Sequence, residues 1–171
     1  LRILLMAGAP SRDFSFLRTM LVREVQDKRA TLTTFVQNEA GTTGKLTPEA
    51  DEKIVLRFPN KLDLTNKKVD EADRPYNLNE YDVLIAFDPD WTELSQAQAE
   101  DLARWVKEGG GGLLYVAGPI HTFQMARVEE GGRLSGLLGL LPVVPADIIA
   151  RNIQASARTP RRLYMHPERL I

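Results

Sequence analysis

Three side chains with the chemistry of an acid–base or metal site stand directly after apolar segments of the chain. Asp88 and Asp90 follow one such segment, and His121 follows the next one along the sequence. Carboxylates and an imidazole can transfer protons as general acid and base, or hold a divalent cation. An Asp–Pro pair after a strand is also ordinary turn chemistry, which we favour here. We therefore predict neither a metal site nor a bound cofactor, and we keep acid–base chemistry as the alternative.

The loop formed by residues 8–13 could bind an anion, because it joins an apolar segment to the start of a helical pattern. Backbone N–H groups at a helix start attract negative charge, and Ser11 and Arg12 lie beside them. Asp13 opposes this interpretation, since its carboxylate would occupy the place of the anion. We expect Ser11 or Asp13 to cap the helix instead. Pro10 lies in the same loop and belongs to the same candidate site.

Short apolar segments that alternate with helical patterns predict an α/β fold. The predicted strands are residues 1–8, 30–37, 81–87 and 113–117, and the predicted helices are residues 13–28, a helix from Ser95 to the glycines at 109–112, and residues 134–141. Gln98 completes a capping box with Ser95. Two strand–helix–strand units imply right-handed crossovers. The expected architecture is a flavodoxin-like, doubly wound, mainly parallel sheet with helices on both faces.

The loops that follow the strands should meet at the carboxyl edge of this sheet, where open α/β sheets bind ligands. The candidate cleft at that edge consists of Pro10, Ser11, Asp13, Asp88, Asp90, Trp91 and His121. Trp91 follows a loop and could line the cleft mouth, although packing is the default for it. Trp105 lies beside the apolar stripe of a helix and is predicted to be a core residue.

Residues 38–79 form a long polar excursion in which residues 47–53 are expected to make a helical turn. Residues 41–45 contain a Gly–Lys pair, but a phosphate-binding loop would need glycine in place of Glu39 and a hydroxyl residue in place of Leu46. No nucleotide site is expected there. Residues 148–171 carry an excess of arginine over acidic residues and stay unassigned. A solvated tail and contact with an acidic neighbouring domain are both open.

Composition bounds the remaining classes of function. A chain of 171 residues with 43% hydrophobic content fits one domain. Its formal charge of −1 gives no overall attraction to nucleic acid, so we expect no such partner. The longest nearly apolar run, residues 137–144, is far below the roughly 20 residues that cross a bilayer. The absence of cysteine excludes disulfides but leaves the compartment open. We expect a domain excised from a larger protein.

The segment YDVLIAFDPDWTELSQAQAEDLARWVKEGGGGLLYVAGP, residues 81–119, resembles the class I glutamine amidotransferase-like superfamily. Together with residues 8–18 it further resembles the subgroup embedded in large bacterial membrane proteins. The resemblance implies a flavodoxin-like sheet. In active members it also implies a cysteine at the elbow after the strand, with a histidine and an acidic residue as partners.

The elbow of this chain departs from that pattern. It contains Ala117, Gly118 and Pro119, which have neither thiol nor hydroxyl groups. Amide transfer in the family passes through a thioester, so glutaminase activity is excluded. The resemblance then implies a non-catalytic interaction or ligand-sensing module. Its partners would be other domains of the parent chain, a separate protein or a small-molecule ligand. A hydrolase that uses Asp13, Asp88, Asp90 and His121 is the alternative.

Overall fold

Five parallel strands form one sheet in the computed structural model, which describes residues 1–37, 46–65, 70–128 and 131–143. The strands are β1 (Arg2–Ala7), β2 (Thr31–Val36), β3 (Lys53–Ile54), β4 (Val83–Phe87) and β5 (Gly112–Val116), and their order across the sheet is β3-β2-β1-β4-β5. This arrangement confirms the predicted α/β, flavodoxin-like fold class. The predicted basic tail, residues 148–171, lies outside the described residues.

The central strand β1 explains why its sequence is a run of apolar residues rather than an alternating pattern. It pairs with β2 on one side and with β4 on the other, so that Leu4 lies between Thr33 and Leu84. Leu4 and Leu5 point to opposite faces of the sheet, and neither is exposed to solvent. A strand covered on both faces needs apolar side chains at every position.

Two helices flank the sheet, and their starts are set by serine caps. In α1 (Arg12–Gln26) the Ser11 hydroxyl accepts a hydrogen bond from Phe14 N at 3.1 Å, so Ser11 is the cap and Asp13 lies in the first turn. In α2 (Gln96–Lys107) Ser95 and Gln98 form the predicted capping box. The glycine run ends this helix through Gly110, which has a left-handed φ of 72°. A third helix, α3 (Ser135–Leu138), is shorter than predicted.

The two faces of the sheet are covered unequally. The face with α2 and α3 holds the larger hydrophobic cluster, which includes Trp105, Leu102, Leu84 and Met6. The other face is covered by α1, whose Phe14 packs edge-on against Phe87 with ring centroids 6.1 Å apart. On this second face, Leu114 of β5 remains 53% exposed. Trp105, the predicted core residue, is 1% exposed.

The described part of the excursion is more ordered than its sequence indicates. One turn is present, in which Glu52 N donates to Glu49 O at 3.0 Å. The expected helical turn over residues 47–53 is otherwise wrong, because Lys53 and Ile54 form β3. These two residues pair with the edge of β2 that β1 leaves free. A segment of two residues is too short to show the alternation that predicts a strand. Phe58 and Leu78 further along are buried in the core. No helix within the described ranges is long and apolar enough to cross a membrane.

Candidate functional site

The Asp88 carboxylate holds the loop that follows β5. Oδ2 accepts a hydrogen bond from Ile120 N at 2.8 Å, and Oδ1 accepts from His121 N at 3.1 Å and from Thr122 N at 2.8 Å. The Thr122 hydroxyl also donates to Oδ1, at 2.9 Å, and brings the carboxylate to four hydrogen bonds. Three consecutive backbone amides, which have no acceptor in a strand or a helix, therefore donate to Asp88 instead. Its backbone φ of 38° is in the left-handed region, which Asp tolerates better than most residues.

The Thr122 hydroxyl is the centre of this network and is fully used. It accepts hydrogen bonds from the Tyr115 hydroxyl and from Gly118 N, both at 2.8 Å, while it donates to Asp88. A hydroxyl has one proton to donate and two lone pairs, so no capacity is left for another ligand. Thr122 and Tyr115 could not be recognised as site residues from the sequence, because neither residue type is unusual in a strand or a loop.

The pKa values of the network follow from burial and hydrogen bonding. Burial alone would raise the pKa of Asp88, but the hydrogen bonds from Ile120, Thr122 and His121 outweigh it and hold the pKa below its ordinary value. Burial raises the pKa of the Tyr115 phenol, against the opposing effect of its bond to Thr122. At neutral pH, Asp88 is therefore an ionised acceptor and Tyr115 a neutral donor.

The stabilising effect of Asp88 should disappear in acid. Its folded pKa lies below the unfolded value, so the contribution is complete above about pH 4 and is lost as the pH falls through the folded pKa. We expect the difference in unfolding free energy between wild type and Asp88→Asn to stay constant from pH 7 to about pH 5 and to shrink steadily below about pH 4, where the carboxyl group of the unfolded chain binds protons first. Urea unfolding in a series of buffers measures it. A difference that is constant across the series contradicts the prediction.

Asp90 and His121 approach each other beside the network. His121 Nδ1 lies 3.5 Å from Asp90 Oδ2, and both side chains are about one-fifth exposed, at 18% and 20%. The other oxygen of Asp90 accepts from Thr92 N at 2.9 Å and caps the 3-10 helix Trp91–Glu93. Gln37 fixes the Asp90 backbone through two reciprocal hydrogen bonds of 2.8 Å. Asp90 and His121 therefore lie close together, but the Asp90 carboxylate also caps the 3-10 helix that follows it.

The loops after β1, β4 and β5 meet as the topology predicts. A Cβ at Gly8 would overlap the Asp88 carbonyl oxygen and approach His121 Cδ2 to 2.9 Å, so only glycine permits this contact. Asp13 is exposed in the first turn of α1 and makes no hydrogen bond or ion pair with any described residue. Pro10 is half-buried. Of the candidate residues, the structure brings together Asp88, Asp90 and His121.

Trp91 packs in the interior, as its residue type predicts by default. The side chain is 2% exposed, and its ring centroid lies 5.9 Å from that of Tyr115. The ring lies in the hydrophobic cluster on the α2 face of the sheet, where it packs against Tyr115 of the Asp88 network. Trp91 is therefore a core residue and does not line an open cleft.

Gly118 leaves no room for a side chain at the elbow. A Cβ built there would overlap Asp88 Cβ and Cγ. We expect Gly118→Ala to lower the free energy of unfolding by about 1–3 kcal/mol, because the Asp88 side chain would have to leave its four bonds. Chemical denaturation measures this loss. Gly136→Ala is the matched control, since a Cβ there meets Ala103 Cβ at an ordinary 3.4 Å, and equal losses at the two positions would contradict the prediction.

A pocket of about 290 Å³ lies at the opposite, amino edge of the sheet. It is lined by charged groups of both signs, including Arg2, Lys53 and Glu71, together with Thr31 and Tyr81. Burial raises the pKa of Tyr81 to about 12, so its phenol stays protonated. None of the predicted site residues lines this pocket. Within the described ranges, no group of three or more His, Asp and Glu side chains is arranged to hold a metal ion.

A buried ion pair links α1 to the edge of the sheet. The Glu52 side chain has no solvent exposure and accepts from Arg18 Nε at 2.9 Å and Arg18 Nη2 at 2.6 Å. The Thr34 hydroxyl and Glu49 N also donate to it. Burial raises the pKa of Glu52, but these bonds outweigh that effect and leave it below the ordinary value. This cluster could not be recognised from the sequence, because its members come from three separate segments.

Comparison with models of known protein families, with curated proteins and with solved structures gave no significant match. The geometry of the site is therefore what supports an assignment of function.

Proposed function

We propose that this chain is a non-catalytic, glutamine amidotransferase-like module that acts as an interaction or ligand-sensing domain of a larger bacterial protein. The observation that carries the proposal is the Asp88 network. Asp88 uses its carboxylate to fix the loop after β5, and Gly118 leaves no space for a nucleophile at the elbow. An edge that is fixed in this way and has no nucleophile is better suited to binding than to catalysis.

The exposed residues of this edge support a protein contact. Ile120 and Phe123 in the loop after β5 are 57% and 51% exposed, and Phe16 near the start of α1 is 69% exposed. Large apolar side chains held out by a rigid loop are enriched where proteins bind each other. The Asp88 bonds to Ile120 and Thr122 fix the backbone that presents them. We therefore favour a protein partner, in the parent chain or outside it, over a small molecule.

A hydrolase is the second candidate, because His121 approaches Asp90 at the same edge. Against it, hydroxyl groups at this edge are already engaged, including that of Thr92, which donates to Asp90. Thr122 makes three hydrogen bonds within the network, and the Ser11 hydroxyl accepts from Phe14 N. A histidine and an aspartate without a free nucleophile would have to activate water. Turnover of ester or amide substrates that is lost in His121→Ala would favour the hydrolase.

Two measurements test the proposal together. Incubation with glutamine should release no glutamate above the background of an Asp88→Asn variant. A photoreactive amino acid at position 123 of the full-length parent protein should form a crosslink to another domain or to a bound protein, whereas the same group at Glu108, exposed beyond the end of α2, should not. Glutamine hydrolysis, or equal crosslinking from the two positions, would overturn the proposal.

A further inference from the structure

The pocket at the amino edge of the sheet, called here the amino-edge pocket, has walls that the structure holds in place. Its lining comes from the starts of β1 and β2, from residues in and beside β3, and from residues 71–81. The Tyr81 hydroxyl donates to Pro75 O at 2.8 Å, and Arg74 N donates to Asp70 O at 3.1 Å. Tyr81 is only 6% exposed. A site whose walls are already fixed binds a ligand at a lower entropic cost.

Two of the cationic side chains that line the amino-edge pocket already have acidic partners. Arg2 Nη2 lies 2.6 Å from Asp82 Oδ1. Arg74 Nε lies 3.2 Å from Glu80 Oε2, and Glu80 also lines the pocket. Each of these pairs is neutral as a whole. They therefore shape the pocket and leave its charge to the other side chains.

Three other charged side chains of the pocket have no such partner. Asp51, Lys53 and Glu71 line it, are exposed, and make no hydrogen bond or ion pair with any described residue. They supply two negative charges and one positive charge. A concave site strengthens the attraction of each for a group of opposite sign. The complementary molecule therefore carries two positive groups and one negative group.

The pocket also contains a backbone donor, the N–H of Leu32. Thr31 N donates to Leu1 O at 2.8 Å and so faces β1. Peptide orientation alternates along a strand, and the Leu32 N–H therefore points to the side of β3. β3 begins only at Lys53, opposite Thr33, which leaves this N–H without an acceptor among the described residues. Because a buried N–H without an acceptor is costly, a ligand that supplies a carboxylate oxygen is favoured there.

We propose that the amino-edge pocket binds a small molecule with one carboxylate and two cationic groups, of the class of the free basic amino acids. Lys53 and the Leu32 N–H bind its carboxylate, and Asp51 and Glu71 bind its two cations. The volume of about 290 Å³ lies at the lower end of the range for ligand pockets, which suits a molecule of this size. The pocket lies at the edge opposite the Asp88 network, so the inference stands independently of the proposed function.

Isothermal titration calorimetry of the intact chain with L-lysine tests the charge requirement. Two related compounds each remove one charged group, since L-norleucine lacks the side-chain amine and cadaverine lacks the carboxylate. We expect both to bind at least about 10-fold more weakly than L-lysine, because each loses a charge-assisted contact. No binding of L-lysine at millimolar concentration, or equal binding of L-lysine and L-norleucine, would refute the proposal.

Variants and amide NMR spectra locate the binding. Lys53→Met and Glu71→Gln change exposed side chains, so both variants should fold and both should weaken L-lysine binding about 10-fold. Glu108→Gln is the matched control, because Glu108 is exposed outside the pocket, and it should leave binding unchanged. In the wild type, L-lysine should shift the Leu32 amide signal and leave that of Ile120 in place. Unchanged binding in both pocket variants, or shifts confined to the loop of Ile120, would contradict the assignment.

Discussion

Replacement of Glu52 by alanine is expected to lower the free energy of unfolding by about 3–5 kcal/mol. The variant removes the bidentate partner of the Arg18 guanidinium, which is only 12% exposed, and leaves it the Thr47 carbonyl at 2.6 Å and the Glu49 carboxylate at 3.5 Å. The Thr34 hydroxyl and Glu49 N lose an acceptor in the same step. A mostly buried charge that loses its main partner costs more than the intact pair contributes. Urea unfolding followed by circular dichroism at pH 7 measures the loss.

Glu49 provides the matched control for this prediction. Its carboxylate lies 3.5 Å from Arg18 Nη1 and is 53% exposed, so Glu49→Ala should cost less than about 1 kcal/mol. A double-mutant cycle with Arg18→Met then isolates the coupling between Arg18 and Glu52. If Glu52→Ala costs the same in the Arg18→Met background as in the wild type, the buried pair is not the cause.

Asp88→Ala is expected to cost about 2–4 kcal/mol, the second large effect. Three consecutive amides of the loop after β5 lose their acceptor, and each N–H that stays buried without a partner costs roughly 1–3 kcal/mol. Water reaches part of this loop, since Ile120 is 57% exposed, which keeps the total below the sum of the three. Thermal and urea unfolding measure the loss. Slow exchange of the Ile120 and Thr122 amides should become fast in the same variant.

Two substitutions bracket this result. Asp90→Ala removes the cap of a short 3-10 helix and a 3.5 Å contact with His121, so it should cost about 1 kcal/mol. Asp88→Asn keeps one acceptor oxygen and tolerates the left-handed φ of 38°, so its effect should be intermediate. An Asp88→Ala variant as stable as Asp90→Ala would mean that the loop after β5 is held by other contacts.

The elements with long apolar patterns could be predicted from the sequence. β1 and β4 are buried on both faces, and Ser95 with Gln98 makes a local capping signal, so these features are visible without tertiary information. β3 could not be predicted, because its two residues become a strand only when β2 offers a free edge. Local patterns thus predict the elements, and pairing decides what short segments do.

The candidate site also depends on contacts that local sequence patterns do not show. Asp88, Asp90 and His121 lie at one edge of the sheet, yet the hydroxyl that joins Asp88 to the backbone of Gly118 belongs to Thr122, an ordinary loop threonine. Its role depends on the Tyr115 hydroxyl and on Gly118 N, which converge only after the sheet forms. Arg18 and Glu52 were missed for the same reason, since residues 34 positions apart carry no shared local pattern.

The position of β1 between β2 and β4 has a consequence for folding. Each strand–helix–strand unit can form from neighbouring segments, but β1 and β4 pair only after the connection between residues 37 and 82 has closed a large loop. The entropy of closure grows with the logarithm of loop length, so doubling this connection would cost only about 0.6 kcal/mol. Insertions in the connection should therefore be tolerated at equilibrium. They should slow the step that joins the two halves of the sheet, because that step waits for the ends of the loop to meet.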